Sequence, residues 1–300
     1  MPQVTVIVPT YNCSRTLRCA LRTLCQQFYR DFEVWVVGDC CTDDSEQVVA
    51  AMGDSRLHWT NLAQRVGRQN GPNNEGLRRA QGKYIAYLGH DDLWFPWHLE
   101  TLVQTLESNN VDFVYAGTIF TGPSGPVALY GDVKRNAHTS PAPPPSWLHR
   151  REIVEKCGPW RAQQQELVGV DAGFQERAYT AGFRFLPSRK ISVIKFPTHW
   201  WGTYARHEDF PQEAYLARME QSAVALHQEM LTTLLFDYLS ERNSPSIKKG
   251  LMTALQAVRH KMIAWYGVHR WPLSQYVRWV NRRHQKRSLA LRGLTGSGSV

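Results

Sequence analysis

The sequence predicts an α/β protein, with a doubly wound and mostly parallel sheet that is followed by a C-terminal helical extension. Two observations predict this fold. Over the first 120 residues, short β-branched apolar runs alternate with segments of helical spacing, which is typical of parallel sheets with helices on both faces. From residue 211 onward, apolar side chains recur at helical spacing alone, which predicts helices without strands.

The first half of the chain contains predicted strands joined by helices. A helix over residues 14–28 follows the first strand, with Ser14 as its candidate N-cap. A loop rich in glycine and asparagine, residues 67–76, is predicted to lead into a short helix that ends near Ala80. Another helix covers about residues 96–109. The strands are predicted at Val4–Pro9, Phe32–Val37, Tyr84–Leu88 and Asp112–Phe120.

The second half begins with residues 121–146, whose glycines and prolines predict a loop or stiff connector. Regular patterning returns over residues 150–196. We therefore divide the chain into a domain over residues 1–210 and a basic helical region over residues 211–300. Helices of that region are predicted over about 211–234, 247–265 and 273–289.

The composition is that of a folded soluble protein, with 43% hydrophobic and 20% charged residues in a chain of 300. No apolar stretch approaches the roughly 20 residues that a membrane span needs. The N-terminus enters a strand pattern directly and lacks an export signal, so we expect a cytoplasmic protein. None of the six cysteines forms a C-x-x-C pair or a zinc-type pattern with histidine, so we expect reduced thiols.

The formal charge of +9 is concentrated at one end of the chain. Residues 243–300 contain eleven Lys or Arg and no Asp or Glu, so the other 242 residues carry 24 basic and 26 acidic side chains. Aromatic residues are interleaved with these cations, as in amphipathic helices that bind an anionic membrane surface. A packed helical module with a solvated basic face explains the pattern equally well. No fold signature accompanies the charge, so a nucleic-acid partner is not expected.

Polar residues follow three of the predicted strands, at residues 10–12, 38–39 and 89–92. Since the carboxyl ends of parallel strands meet at one edge of a sheet, these segments predict a ligand site there. The adjacent carboxylates of Asp91 and Asp92 repel each other unless a cation such as Mg²⁺ or Mn²⁺ lies between them. Alternatively, Asp92 caps the following helix and Asp91 is merely solvated.

Two further segments carry weaker signals. Asp39 at a strand end can accept a hydrogen bond from a ribose or a base, although it also suits a turn. Arg68 in the loop over residues 67–76 can form a fork to phosphate, although an ordinary polar loop has the same composition. Neither a Walker-type motif nor a dinucleotide-binding G-x-G-x-x-G motif is present.

Taken in order, the motifs resemble family 2 glycosyltransferases of the GT-A fold, including the type linked to spore-coat polysaccharide synthesis. The resemblance covers about residues 3–205. It implies a nucleotide-binding half over about residues 1–120 and an acceptor half over about residues 121–210. The motifs are VIVPTYN at 6–12, FEVWVVGD at 32–39, NEGL at 74–77, Ala80, GKYI at 82–85 and the pair Asp91-Asp92.

The resemblance implies an inverting enzyme that moves a sugar from a nucleotide diphosphate sugar to a hydroxyl acceptor, in the synthesis of a polysaccharide, glycolipid or other cell-envelope glycan. Tyr11 would lie against the base, and Asp39 would accept the base imide proton, which favours UDP or dTDP. Asp91 would hold Mn²⁺ or Mg²⁺ against the leaving diphosphate. The implied nucleotide-binding residues are Pro9, Thr10, Tyr11, Asn12, Asp39, Arg68 and His90, and the further candidate metal ligands are Asp92, His199 and His207.

The same resemblance implies a general base at the start of a helix on the acceptor side. Asp171 is the best match, with Glu166 in reserve, although a plain helix cap would look the same. From side-chain chemistry alone, Arg206 could bind the diphosphate and His199 and His207 could bind the metal, although surface or packing roles suit all three as well. The residues that we expect to face the acceptor are His149, Arg150 and Arg151.

The chain departs from the family pattern at two places. Gly89 stands where the D-x-D motif has its first acid, and Cys40-Cys41 replace residues of an Asp-Asp-Gly-Ser sequence. Gly89 is the main support for an alternative, a non-catalytic nucleotide-sugar-binding protein on a degenerate GT-A fold, whereas the cysteines bear on the choice of base. A nucleotidyltransferase is disfavoured, because Pro9-Thr10-Tyr11-Asn12 is not a loop rich in glycine and arginine.

Overall fold

The computed structural model describes residues 1–130, 142–166, 169–197, 201 and 210–243 of the chain. Met1–Tyr238 forms one compact unit, which contains the sheet and its helices. No helix within these described ranges is long and apolar enough to cross a bilayer. The predicted metal ligands His199 and His207, Arg206 and the basic tail lie outside the described residues.

The first half of the chain builds a parallel sheet with strand order β3-β2-β1-β4. These strands are rich in valine and isoleucine, as expected where a sheet is buried on both faces. The elements in chain order are β1 (Val4–Thr10), α1 (Ser14–Cys25), β2 (Phe32–Gly38), α2 (Ser45–Ala51), β3 (Leu57–Asn61), α3 (Asn70–Arg79), β4 (Tyr84–Tyr87), β5 (Leu93–Trp94) and α4 (His98–Ser108).

The second half extends the same sheet with antiparallel as well as parallel pairs. Beyond β4 the order is β8-β6-β9-β5, with β7 paired to β6, and only β6 and β9 run parallel among the described strands of this half. The elements are β6 (Phe113–Gly122), β7 (Gly125–Tyr130), β8 (Trp147–Arg150), α5 (Glu152–Cys157), α6 (Val170–Thr180), β9 (Phe185–Lys195) and α7 (Pro211–Asn243), with 3₁₀ turns at Pro144–Ser146 and Gln163–Gln165.

Helices cover both faces of this sheet. Alternate residues of β1 face opposite layers: Val4, Val6 and Val8 pack with α1, α2 and α4, whereas Ile7 packs with α3, α5 and α6. The double winding predicted from the alternating pattern is therefore present, around a sheet whose second half is mixed rather than parallel.

The long helix α7 covers a third apolar cluster at the end of the sheet where β5 lies. Its buried residues Leu216, Met219, Leu226 and Met230 pack against side chains of β5, β6 and β9. The helical backbone is interrupted at Ser222, where φ is −163° and ψ is 100°. The helical spacing seen in the sequence beyond residue 211 thus corresponds to a helix that completes the core.

Several predicted boundaries were wrong. Residues 70–76, predicted as loop, begin α3, and β7 lies inside the predicted connector. The strand β3 was missed because its half-buried residues at the sheet edge include polar ones. Ser14 is the first helical residue of α1 rather than its N-cap, and its N–H donates to Asp43 Oδ2 at 2.9 Å from the loop after β2.

Candidate functional site

A cleft of about 1260 Å³ opens at the carboxyl ends of β1, β2 and β4. All three polar strand ends contribute to its lining, as does the N-terminal end of α6. The predicted site residues that line it are Pro9, Thr10, Tyr11, Asn12, Asp39, Arg68, His90, Asp91, Asp92 and Asp171. The sequence therefore identified side chains that meet in space, although what each does there stays a prediction.

Asp39 is fixed by the loop that faces it. The residue is only 4% exposed, and its two carboxylate oxygens accept hydrogen bonds from the backbone N–H groups of Val66 and Gly67, both at 2.7 Å. Its own N–H donates to the carbonyl of Thr10 at 2.8 Å. Since each carboxylate oxygen has a second acceptor site, Asp39 can still bind a ligand N–H.

Tyr11 carries a stacked cation that the sequence reading missed. The guanidinium of Arg65 lies 3.9 Å from the centre of the Tyr11 ring, and both residues line the cleft. Arg68, three residues further along the same loop, also lines the cleft and is exposed. The sequence offered one signal for Arg65, its position three residues before Arg68. Its contact with Tyr11 in the cleft shows that it belongs to the site.

The loops after β1 and β2 are held together by a tight set of contacts. Asn12, with a φ of 45°, accepts a hydrogen bond from the Thr42 N–H at 2.8 Å. The thiol of Cys41 donates to the carbonyl of Thr10 at 3.6 Å, and burial raises the pKa of this thiol. A Cβ at Gly38 would lie 2.9 Å from the Trp59 ring and 3.1 Å from that sulfur, and it would clash with Asn61 Oδ1, so glycine suits this position. Cys41 therefore fills a structural position.

His90 and Asp91 lie side by side at the end of β4, and both are nearly buried. The Nδ1 of His90 lies 3.2 Å from the carbonyl oxygen of Pro9. Burial would lower the pKa of His90, but the Cys13 side chain, the charge of Asp91 and the Pro9 carbonyl together raise it to about 9. A cationic imidazole beside the carboxylate of Asp91 suits a cleft that binds phosphate.

Asp92 makes contacts that neither sequence hypothesis anticipated. It is fully buried, accepts a hydrogen bond from Lys195 Nζ at 2.8 Å and another from the Phe196 N–H at 3.3 Å. Burial raises the pKa of Asp92 to about 6, against the opposing charge of Lys195. The helix α4 begins only at His98, with Trp97 as its N-cap, so Asp92 does not cap it.

The donor set for a divalent cation is small. Within the described ranges, no three His, Cys, Asp or Glu side chains are grouped closely enough to hold a metal ion. Asp92 is already engaged by Lys195, which argues against it as a ligand. Asp91 remains as one carboxylate at the cleft, which fits a cation that is bound mainly through substrate phosphate oxygens.

The two candidates for the general base have different surroundings. Asp171 lies in the first turn of α6 and lines the cleft. Glu166 forms an ion pair with Arg177, both side chains being largely buried, and it is not part of the cleft wall. The geometry therefore favours Asp171 over the reserve candidate.

The expectation that His149 faces the acceptor is wrong, and neither Arg150 nor Arg151 lines the cleft. His149 is fully buried, with Nε2 3.2 Å from the Tyr87 hydroxyl, and burial lowers its pKa to about 4. Arg150 pairs with Asp112 at 3.3 Å, and Arg151 lies 3.7 Å from Glu155. The proline-rich segment before them suggested an exposed stretch, but His149 and Arg150 belong to β8 within the sheet, and Arg151 caps α5.

Two polar side chains at the cleft wall have buried atoms without hydrogen-bond partners in the described part of the chain. They are the hydroxyl of Thr10 and both amide atoms of Asn73. An unpaired buried polar atom costs about 1–3 kcal/mol, so such atoms are expected where a ligand or water completes the site. Asn73 was not identified from the sequence, because it lay within the predicted loop.

A family model described as Glycosyl transferase family 2 matches residues 5–155, which are 151 of the 300 residues. Two Escherichia coli proteins, WfgD and WfaP, are similar to the chain, and both are named UDP-Glc:alpha-D-GlcNAc-diphosphoundecaprenol beta-1,3-glucosyltransferase. WfgD is 25% identical over 52% of this chain and 56% of its own, and WfaP is 29% identical over 39% and 46%. The chain thus spans about half the length of these curated relatives.

Solved structures show the same fold. S. aureus TarS in complex with UDP-GlcNAc has a TM-score of 0.57 at 22% identity, over 65% of this chain and 58% of that one. The mannosyltransferase PcManGT from Pyrobaculum calidifontis, in complex with GDP-Man and Mn²⁺, has a TM-score of 0.55 at 19% identity, over 98% and 87%. This likeness confirms the α/β fold of GT-A type that the sequence predicted.

Proposed function

The chain belongs to glycosyl transferase family 2, and on that basis we propose that it transfers a sugar, with inversion, from a UDP- or dTDP-linked donor to a hydroxyl acceptor. One observation carries the proposal. Tyr11, Asp39 and Asp91 come from three different strand ends and line one cleft of about 1260 Å³. That volume is larger than the few hundred Å³ of a minimal ligand pocket and leaves room for donor and acceptor.

The nucleoside half of the donor would lie between Tyr11 and Asp39. Asp39 is held rigidly by two backbone N–H groups, so its remaining acceptor sites point at a fixed place. A carboxylate there would accept the N–H of a uracil or thymine imide, and the choice of UDP or dTDP over GDP follows from the family resemblance rather than from this group alone. Arg65 and Arg68 add positive charge on the same side of the cleft.

The diphosphate half would lie near His90 and Asp91. Cys13, the charge of Asp91 and the Pro9 carbonyl raise the pKa of His90 to about 9 in spite of burial, which favours a cationic imidazole while no metal neutralises Asp91. Asp91, with phosphate oxygens of the donor, would hold Mn²⁺ or Mg²⁺, and such an ion would supply charge neutralisation for the leaving group. The complexes of PcManGT with GDP-Man and Mn²⁺ and of TarS with UDP support a donor site of this kind.

Asp171 would act as the general base. In an inverting transfer the acceptor oxygen attacks the anomeric carbon, the bond from that carbon to the diphosphate oxygen breaks, and the hydroxyl proton passes to a carboxylate. The leaving diphosphate takes the electron pair. Asp171 lines the same cleft as Asp91 and lies within electrostatic reach of Lys195.

The acceptor is proposed to belong to the synthesis of a cell-envelope glycan. Both Escherichia coli relatives are named for acceptors linked to diphosphoundecaprenol, a lipid carrier. Residues 243–300, with eleven basic and no acidic side chains, would bring the protein to an anionic membrane as a peripheral partner. This would place the cytoplasmic enzyme that we predict at the inner face of the membrane.

A second candidate, a non-catalytic nucleotide-sugar-binding protein, is favoured by Gly89. A Cβ at this position would lie 2.9 Å from Asp91 Oδ1 and 2.7 Å from Asp92 Oδ2, so an acid there would require both carboxylates to shift. Such a protein would bind donor without consuming it.

Asp171→Asn separates these possibilities. We expect UDP, but not GDP, to bind the wild-type protein in calorimetry, and Mn²⁺ to tighten the binding. We expect UDP to be released from UDP-glucose or UDP-N-acetylglucosamine with water as acceptor, and Asp171→Asn to lower that rate by about 10²–10⁴-fold with unchanged UDP affinity. Glu176→Gln, an exposed acid on the same helix, should leave the rate unchanged.

Other outcomes would redirect the proposal. UDP binding without release of UDP from any donor sugar supports the non-catalytic alternative. Unchanged turnover in Asp171→Asn removes this residue from the role of base. A wild-type protein that binds neither UDP nor dTDP would refute the proposed donor class.

A further inference from the structure

Lys195, at the end of β9, is a cation of the cleft that no sequence motif identified. Its side chain is 24% exposed and lines the cleft, whereas its partner Asp92 is fully buried. The ammonium therefore lies on the cleft side of the ion pair, and the carboxylate lies behind it. Three carboxylates act on this ammonium, those of Asp92, Asp91 and Asp171.

The ion pair leaves part of the ammonium unused. A lysine ammonium has three N–H donors, and Asp92 Oδ2 takes one of them at 2.8 Å. The second oxygen of Asp92 accepts the Phe196 N–H, so the carboxylate is anchored from the backbone. The ion pair with Asp92 thus uses one donor, and the other N–H groups of this cleft-lining ammonium can meet the oxygens of a bound anion.

The missing side chain at position 89 explains how Asp92 reaches this place. A Cβ at Gly89 would lie 2.7 Å from Asp92 Oδ2 and 3.3 Å from its carboxyl carbon. The Asp92 carboxylate thus occupies space that the first acid of a D-x-D motif would need. In place of that acid, the cleft contains the ion pair of Asp92 and Lys195, with the Lys195 ammonium on the side of the cleft.

Resting on the proposed function, we propose that Lys195 binds the diphosphate of the donor directly and that Asp92 is the positioning residue that holds it there. A diphosphate offers several strong acceptor oxygens, and charge-assisted hydrogen bonds to them are short and strong. The compact ammonium of a lysine, on a flexible side chain, can follow the diphosphate as negative charge develops on it during cleavage of its bond to the sugar. The rival explanation is that Lys195 only neutralises the buried charge of Asp92.

Calorimetry with UDP and UMP in EDTA tests the proposal. Without a metal ion, the measured affinity for the diphosphate depends on the cationic side chains of the protein. We expect Lys195→Met to weaken UDP binding about tenfold, the effect of losing one such contact, and to leave UMP binding unchanged. Lys195→Arg should keep most of the UDP affinity. Lys190→Met, an exposed lysine on the same strand, is the matched control and should change neither.

The double variant Lys195→Met/Asp92→Asn distinguishes the two explanations even where Lys195→Met alone folds poorly, because it removes both charges together. UDP affinity that stays about tenfold low in the double variant supports direct contact. Affinity that returns to the wild-type value would mean that Lys195 serves Asp92 alone, and the inference is then overturned. Wild-type protein that fails to bind UDP would instead refute the proposed function, which is a different result.

Discussion

Asp39 illustrates how a single side chain can be set in place before any ligand arrives. Its carboxylate oxygens are held by two amides of the neighbouring loop, and its N–H by the strand beside it. A group that is already ordered loses little conformational entropy on binding. The same holds for Asn12 and Cys41, whose contacts tie two loops together. The nucleoside end of the cleft is therefore preorganised.

At the residue scale, His149 predicts an acid-sensitive core. Burial lowers its pKa from 6.5 to about 4, so the unfolded chain binds a proton between these pH values that the folded protein does not bind. The free energy of unfolding must then fall as the pH falls from 6.5 towards 4. His149→Phe keeps a ring against Phe113 and Phe174, and we expect it to reduce the loss of stability between pH 7 and pH 5 by about 2 kcal/mol.

Urea unfolding of both proteins at the two pH values measures this difference. His58→Phe, which changes a half-buried histidine at the sheet edge, controls for the removal of an imidazole. An identical loss of stability in wild type and His149→Phe would show that His149 is already protonated in the folded protein.

Single residues also show which parts of the site could be predicted from the sequence and which could not. The positions of Tyr11, Asp39 and Asp91 followed from strand ends, because a parallel sheet brings its carboxyl ends to one edge. The pair of Asp92 with Lys195 did not, because its partners are 103 residues apart and belong to different halves of the chain. Hydrogen bonds between distant segments leave no periodic trace in a sequence.

At the scale of elements, the parallel strands could be predicted from the sequence, whereas the polar first turns of α3 could not. The strands β1, β2 and β4 are buried on both faces, so nearly every residue is apolar. By contrast, α3 begins Asn70-Gly71-Pro72, a composition that indicates a loop. Tertiary contacts override that preference, with Asn74 bonded to the backbone of Trp160 through both amide atoms.

The helix α7 carries a prediction at this scale. Leu226 is 2% exposed and packs in the apolar cluster with residues of β5 and β9, whereas Val224 on the same helix is 58% exposed. We expect Leu226→Ala to lower the free energy of unfolding by about 2–4 kcal/mol, because it leaves a cavity. Val224→Ala should change it by less than about 0.5 kcal/mol.

Chemical denaturation monitored by tryptophan fluorescence provides both values. Equal effects of the two substitutions would mean that α7 does not contribute its described buried face to the stability of the sheet. A loss in Leu226→Ala without a change in the slope of the transition would confirm that only the packing was altered.

At the scale of the whole molecule, charge is divided between two parts of the chain. The first 242 residues carry a net charge of −2 and the last 58 carry +11. We expect the full chain to sediment with phosphatidylserine-containing vesicles and not with phosphatidylcholine vesicles, and the binding to weaken above about 0.5 M salt, where screening is strong.

A triple variant tests which cations are responsible. Arg278→Gln, Arg282→Gln and Arg283→Gln together should weaken vesicle binding, since each basic residue near the surface contributes about 1 kcal/mol. The matched control removes three exposed cations elsewhere, Arg161, Arg189 and Lys190, and should have no effect. Equal losses in both variants would indicate a response to net charge alone.

The hydrogen bond from Gln212 Nε2 to the backbone carbonyl of Asp91, 3.0 Å long, has a consequence for any shortened form of the protein. It reaches across 121 positions from the first turn of α7, so a segment far along the chain supports the backbone of this aspartate. A chain that stopped at residue 210 would retain Asp91 and Asp171 and yet lose the hydrogen bond that supports the backbone of Asp91. The shortest active form of the protein therefore has to include the start of α7 as well as the residues proposed to act on the substrate.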